Sequence, residues 1–165
     1  MFGFQRRVVV AVVIGLLVLG ACGGSSNKNA ATTTTTAPTT TLSPQQNKDA
    51  ITKVFTDFFN GANPDLNAKL QLLDDPNKYQ GVYMKFANDP TTGPELKGTS
   101  VAVSNVVLNS DGTADVTYTL NLNGTPALKD QMGKAVQVNG QWRVAGTTFC
   151  DLAALGATTV DPACA

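Results

Sequence analysis

The hydrophobic pattern of the chain changes twice along its length. A short apolar run near the N-terminus has no period, apolar residues recur at helical spacing between about residues 44 and 86, and alternation of period two runs from about residue 99 to 147. The first period predicts helices and the second predicts antiparallel strands. Helices followed by such strands predict an α+β domain with the helices on one face of the sheet.

Three helices are predicted, and a proline introduces each of them. Ser43-Pro44-Gln45-Gln46 provides a capping box and a first-turn proline, so the first helix should run from about Pro44 to Phe59. Asn63-Pro64 opens the second helix and Asp75-Pro76 opens the third. The apolar positions of the three helices are Ile51, Val54, Phe55 and Phe58; Leu66, Leu70 and Leu73; and Tyr79, Val82, Tyr83 and Phe86.

Four strands are predicted after the helices: Ser100–Leu108, Thr113–Leu122, Lys134–Val138 and Gln141–Thr147. Turns at Ser110-Asp111-Gly112, Asn123-Gly124 and Asn139-Gly140 separate them. We expect an irregular connection over Pro126–Met132 and a short helical segment from about Cys150 to Leu155. The second strand should bury Ala114, Val116, Tyr118, Leu120 and Leu122 and expose Asp115, Thr117, Thr119 and Asn121.

The N-terminal apolar run has the features of an export signal. Arg6 and Arg7 precede it without an acid, and Val8–Leu19 provides twelve uncharged residues. A bilayer-spanning helix needs about 20 apolar residues, so this run favours a cleaved secretory signal peptide. An uncleaved membrane anchor is the alternative.

Leu19-Gly20-Ala21-Cys22 resembles a bacterial lipobox. The resemblance implies that the Cys22 thiol receives a diacylglyceryl group, that residues 1–21 are removed, and that Cys22 becomes the acylated first residue. Fatty chains on Cys22, palmitate among them, would hold the protein on the extracytoplasmic face of the cell membrane. The alternative is an ordinary cysteine after an ordinary cleavage site.

Residues 22–42 are predicted to be a disordered tether. They contain runs of threonine at Thr32–Thr36 and Thr39–Thr41 and no apolar periodicity. A flexible chain of this length has a root-mean-square span of roughly 25 Å. The threonines suit either O-linked sugars or an unmodified spacer. The folded domain should therefore comprise residues 43–165.

Charge and cysteine content give further information on binding partners and on the redox compartment. The precursor has 12 basic and 12 acidic residues, so removal of Arg6 and Arg7 leaves a net charge of −2, which does not favour nucleic acid as a partner. Lipidation of Cys22 would leave Cys150 and Cys164 as an even pair in an oxidising compartment. A disulfide that pins the C-terminal tail is the expected result, and the spacing does not fit a Cys-x-x-Cys redox pair.

The C-terminal sequence resembles a known family. The residues that carry the resemblance are Val138-Asn139-Gly140-Gln141-Trp142-Arg143-Val144, Thr148-Phe149-Cys150 and Leu152–Leu155. From Ser43 to about Gly156 the chain is similar to actinobacterial envelope proteins that include the mycobacterial low-molecular-weight secreted antigen. The resemblance implies a cone like that of nuclear transport factor 2 and ketosteroid isomerase, with helices on a curved four-stranded antiparallel sheet. It implies no activity.

The sequence argues against most catalytic chemistry. It contains no histidine, phosphate loop or dinucleotide-binding glycine pattern, so we predict no catalytic residues, no cofactor and no metal. Asn109-Ser110-Asp111-Gly112 fits a hairpin turn better than a calcium loop. An isomerase of this fold needs carboxylates inside the cone, and the expected register directs neither Asp57 nor Asp115 there.

Three hypotheses for function follow. The first is a non-catalytic envelope lipoprotein that binds a protein or glycan or displays a surface. The second is a carrier that holds a small apolar ligand or lipid in the mouth of the cone. The third is a histidine-free enzyme. The cavity of the carrier would be lined by Phe55, Phe58, Tyr79, Tyr83 and Tyr118, although the tyrosines and Trp142 also fit as ordinary core residues.

Overall fold

A computed structural model describes residues 42–155 and 160–165. The predicted signal peptide, Cys22 and nearly all of the predicted tether lie outside these residues. The helices are α1 (Pro44–Phe58), α2 (Leu66–Leu70), α3 (Pro76–Asn88), α4 (Thr92–Leu96) and α5 (Gly146–Ala154), with a 3₁₀ turn at Pro162–Cys164. The strands are β1 (Thr99–Leu108), β2 (Thr113–Leu122), β3 (Thr125–Val138) and β4 (Gln141–Val144). Within residues 42–155 and 160–165, every helix is too short or too polar to cross a membrane.

The α+β prediction is confirmed, and the four strands form one curled antiparallel sheet in the order β1-β2-β3-β4. Helix α1 packs against both edge strands of this half-barrel. Near the start of α1, Asn47 Oδ1 accepts a hydrogen bond from Trp142 Nε1 at 2.8 Å. Just beyond its end, the Phe59 carbonyl accepts one from Thr99 Oγ1 at 3.1 Å. The helix therefore crosses the sheet from β4 to β1, which gives the cone-like shape.

The first and third helices begin where the sequence predicts. Ser43 and Gln46 form a complete capping box at α1, and Asp75 caps α3 ahead of its proline. The prediction for α2 was wrong, because Asp65 caps it rather than Asn63. Asn63 Oδ1 instead accepts from the Asp65 backbone N–H at 3.0 Å, a local turn that moves the helix start two residues along the chain.

Two helices, α4 and α5, differ from the sequence prediction. Helix α4 was not predicted; its first turn is held by Thr92 Oγ1, which donates to the Phe86 carbonyl at 2.8 Å. Helix α5 begins at Gly146 rather than near Cys150, and the predicted fourth strand correspondingly ends at Val144. The Gly146 backbone N–H donates to Asp74 Oδ1 at 3.0 Å. A side chain from the loop before α3 thus provides the acceptor for the first backbone N–H of α5.

The predicted irregular connection over Pro126–Met132 was also wrong, since these residues belong to β3. They pair with β2, but the register shifts twice opposite Tyr118–Asn121. Asp130 has a positive φ of 52°, as expected of an inserted residue in a bulged strand. The bulges interrupt the alternation of apolar and polar side chains, which is why the sequence pattern did not predict a strand.

The core lies between the sheet and helices α1, α3 and α5. Ala114, Val116 and Tyr118 of β2 are buried, as predicted, whereas Leu120 and Leu122 are only half-buried. The largest fully buried side chains come from all parts of the described domain: Ile51, Phe55, Leu73, Val116, Tyr118, Val144 and Thr148. The hydrophobic effect of this shared interior holds helices and sheet together.

Because two tyrosines of the core are buried, we expect the protein to lose stability at alkaline pH. Burial raises the pKa of Tyr83 to about 12, and burial together with the negative charge of Asp151 raises the pKa of Tyr118 to about 12. Because a tyrosine in an unfolded chain ionises near pH 10, the two phenols stabilise the folded state fully below that pH. We expect the melting temperature to fall as pH rises from about 10 to 12. Tyr83→Phe should make this fall shallower in a thermal melt series, and an unchanged slope would contradict the prediction.

Candidate functional site

The five residues predicted to line a ligand cavity lie in the packed core. Phe55, Phe58, Tyr79, Tyr83 and Tyr118 are all buried. Four of the five rings pair with one another: the centroids of Phe55 and Tyr118 are 5.6 Å apart, and those of Phe58 and Tyr83 are 6.0 Å apart. These are the separations of packed aromatic pairs. The five side chains are therefore part of the packed core.

Two glycines show how closely this interior is packed. A Cβ built on Gly133 would lie 2.8 Å from Thr148 Cγ2 and 3.0 Å from Tyr118 Cε1. A Cβ built on Gly146 would overlap the ring of Tyr79. Close approach of this kind leaves no room for a methyl group at either position, so backbone and rings fill the interior together.

A groove on the outside of the domain has space for a ligand. It lies between the second half of α3, helix α5 and the C-terminal segment, and its volume is about 420 Å³. Its apolar lining is Val82, Phe86, Ala153, Ala154 and Val160, and its polar lining is Lys85, Asp89, Thr91, Thr92 and Asp161. Cys150 and Cys164 also line the groove. None of the five predicted cavity residues lines this groove.

The predicted disulfide between Cys150 and Cys164 is present, with the two Cα atoms 5.5 Å apart. It joins α5 to the 3₁₀ turn near the C-terminus. The turn itself is capped by Asp161, whose Oδ1 accepts from the Ala163 backbone N–H at 3.0 Å. Ala163 and Cys164 pack against the hydrophobic core. The disulfide therefore fixes the C-terminal segment along one side of the groove.

Loss of the disulfide should lower stability under oxidising conditions. The sequence separation of 14 residues corresponds to a loss of about 3 kcal/mol of unfolding free energy in the chain-entropy model. We expect Cys164→Ser to lower the melting temperature by at least several degrees; it is preferred to Cys150→Ser because Cys150 is more deeply buried. Wild-type protein melted in reductant is the control and should match the variant. Equal melting temperatures for the oxidised wild type and the variant would contradict the prediction.

Three charged residues line the groove: Lys85, Asp89 and Asp161. The backbone N–H groups of Thr92 and Thr91 donate to the Asp89 carboxylate and hold its pKa below the usual range. Lys85 lies in the last turn of α3. Between residues 42 and 155 and from 160 to 165, neither Asp89 nor Lys85 forms an ion pair. The groove thus combines an apolar wall with one amine and two carboxylates, Asp89 and Asp161.

The acidic residues considered for catalysis lie outside the core. Asp57 pairs with Lys53, with 2.6 Å between Oδ2 and Nζ, on the exposed side of α1. Asp115 pairs with Lys134 at 2.9 Å on the outer face of the sheet, and this hydrogen bond is the main reason that its pKa is lowered. Both aspartates thus lie on the outside, as the sequence pattern predicted.

The described ranges contain no group of three or more His, Cys, Asp or Glu residues placed to hold a metal ion. The predicted hairpin turn at Ser110-Asp111-Gly112 is present. Gly112 has a φ of 79°, and Asp111 Oδ1 accepts from the Thr113 backbone N–H at 3.0 Å. The Asp111 carboxylate is therefore part of the turn.

Lys69 is a buried cation that the sequence pattern did not indicate. Only 6% of its surface is exposed, and burial lowers the pKa of its amine. No carboxylate lies within ion-pair distance of it in the part of the chain that the structure describes. Lys69 lies three residues after Leu66 in α2, so both side chains are on the same face of the helix. This spacing explains why Lys69 is buried.

The geometry defines a cone-like α+β domain with a packed aromatic core, a groove on its outer surface and a disulfide-fixed C-terminal segment. Residues 43–159 match the family model of the low molecular weight antigen MTB12, C-terminal domain, and the chain belongs to this family. No curated protein sequence matches the chain significantly. The family match confirms the resemblance found in the sequence. Membership in the family indicates a secreted antigen-like surface module.

Proposed function

We propose that the protein is a lipid-anchored module of the cell envelope that acts through its outer surface and catalyses no reaction. The main observation that supports this proposal is the packing of the core. A small-molecule site needs a cleft or cavity, whereas aromatic rings and close glycine contacts occupy the core of this domain. A protein or glycan of the envelope is the partner that such a surface would bind.

The sequence before the domain supports the anchoring part of the proposal. The lipobox-like Leu19-Gly20-Ala21-Cys22 would place an acylated cysteine about twenty residues before the start of the domain at Ser43. The polar, threonine-rich segment between them would then separate the domain from the membrane surface by roughly 25 Å. The family model begins at residue 43, after this segment.

The positions of the carboxylates support the absence of catalysis. An isomerase of this fold needs a carboxylate base that reaches an enclosed substrate. Asp57 and Asp115 instead form ion pairs with lysines on the outside of the domain. Burial raises the pKa values of Tyr83 and Tyr118 to about 12, so neither phenol is ionised to act as a base at physiological pH.

The second candidate function is carriage of a small apolar ligand, and the outer groove favours it. Its volume of about 420 Å³ lies in the range of ligand sites, and Val82, Phe86 and Val160 give it an apolar wall. A carrier of this design would hold its ligand between α3, α5 and the C-terminal segment, away from the five core aromatics.

Native purification distinguishes the two functions. Protein extracted from its own membrane is treated with organic solvent, and the extract is analysed by mass spectrometry. We expect no stoichiometric ligand. A ligand that is present in the wild type, lost in Ala153→Phe and retained in Ala127→Phe would establish the carrier function. Ala153 lines the groove, whereas Ala127 is an exposed residue of β3 and provides the matched control.

A further inference from the structure

The sheet has two outer edges, β1 and β4, and the β4 side is protected against pairing with another strand. At β4, Val144 N donates to the Leu72 carbonyl at 2.9 Å, and Asp74 N donates to the Val144 carbonyl at 3.1 Å. The segment Leu72–Asp74 therefore covers that edge. The first half of β3 extends beyond β4, but it contains Pro126, Lys129 and the positive-φ residue Asp130. Proline, charge and bulges are the features by which natural sheets prevent edge-to-edge association.

The opposite edge, formed by β1, lacks most of this protection. Thr99–Leu108 contains neither a charged residue nor a proline, and its one irregularity is a bulge at Ser104. At its first residue the Thr99 carbonyl accepts from the Gly61 N–H at 2.9 Å, so this carbonyl points away from β2. Backbone groups alternate along an antiparallel strand, so the N–H and C=O of Val101 and Val103 also point to the open side.

These outward groups are available for pairing. In the part of the chain that the structure describes, the backbone bonds outside the sheet and helices include no partner for Val101 or Val103. The exposed side chains of β1 are all uncharged: Ser100, Ala102, Ser104, Asn105 and Val107, the last of which is 48% exposed. An uncharged, valine-rich open edge is a template for an added strand.

We propose that the β1 edge pairs antiparallel with the β1 edge of a second copy of this chain, giving a dimer with a continuous eight-stranded sheet. A two-fold axis brings each β1 strand against itself, and because the strand is uncharged this pairing opposes no like charges. The dimer would also cover Val107. This inference is independent of lipid anchoring, because it depends only on the folded domain.

The substitution Ala102→Lys tests the proposed dimer. Ala102 is exposed near the middle of β1, so a two-fold pairing would bring the two introduced lysines close to the axis. Mature protein in a density-matched detergent is measured by analytical ultracentrifugation. We expect a concentration-dependent dimer in the wild type and at least about tenfold weaker dimerisation in the variant, because like charges across an interface are unfavourable. Peptides that contain Val101 and Val103 should exchange amide hydrogens more slowly as the dimer forms.

The control is Met132→Lys, which adds the same charge to the outer face of β3, two strands from the edge, at a side chain that is 64% exposed. It should leave dimerisation unchanged, and thermal melts should show that both variants are folded. A wild type that remains monomeric at its highest soluble concentration would overturn the proposal. Equal weakening by both substitutions would also overturn it, because the interface would then be the face of the sheet.

Discussion

Cys22→Ala is expected to abolish incorporation of labelled palmitate into the protein, a change from full labelling to none. The reason is that Cys22 carries the single thiol in the lipobox-like sequence, and a thioether to diacylglycerol can form only there. Each buried methylene of an acyl chain contributes about 0.8 kcal/mol to membrane binding, so two or more chains give a stable attachment. Labelling is measured in cells that express the full chain.

Ser25→Ala provides the control, because it changes a small residue three positions beyond Cys22 and should keep the label. The mass of the mature N-terminus gives a second measurement. We expect an acylated cysteine at residue 22. A free thiol there, or a mature chain that starts at another residue, would show that the anchoring proposal is wrong while leaving the fold and the proposed dimer untouched.

Gly146→Ala is expected to cause a large loss of stability in the folded domain. The added methyl would overlap the Tyr79 ring, and both partners are buried between α3 and the start of α5. Inserting a methyl group into a close-packed interior costs about 1–3 kcal/mol of unfolding free energy. For a domain of this size the melting temperature should fall by roughly 5–15 °C. Thermal unfolding followed by circular dichroism measures the change.

Gly81→Ala is a matched control with the opposite expected sign. Gly81 lies inside α3, is exposed, and a Cβ there would meet no atom within 4 Å. Alanine in a helix interior is favoured over glycine by about 0.5–1 kcal/mol, so this variant should melt slightly higher. Tyr79→Leu should restore part of the stability lost in Gly146→Ala. If Gly146→Ala melted like Gly81→Ala, the close contact with Tyr79 would be refuted.

The exposed side of the domain and its edges are the surfaces on which function should be sought next. The filled interior directs attention to the outer groove and to the β1 edge, which lie on different parts of the fold: the groove is bounded by α3, α5 and the C-terminal segment, and the edge belongs to the sheet. Substitutions in one region should therefore leave the other unchanged, because distant sites without shared partners act independently.

The sequence by itself determined the features that depend on local interactions. Ser43 and Gln46 form their capping box within one helical turn, and Gly112 provides the positive φ that its hairpin needs. The alternation in β2 predicted which face is buried, because side chains of a regular strand point to opposite sides. The family resemblance was likewise contained in short contiguous motifs, and it is confirmed over residues 43–159.

The tertiary structure alone decided features that depend on residues far apart in the chain. Pairing with β2 makes Pro126–Met132 a strand, although its bulges conceal the period of two. The Asp74 carboxylate, 72 residues before Gly146, accepts from the N–H that starts α5. The predicted cavity aromatics fill the core because helices α1, α3 and α5 bring their rings together, whereas the open groove forms where the disulfide holds the C-terminal segment beside α3. Periodicity tells which side of an element is apolar, but the packing of the elements decides whether apolar side chains enclose a cavity or fill it.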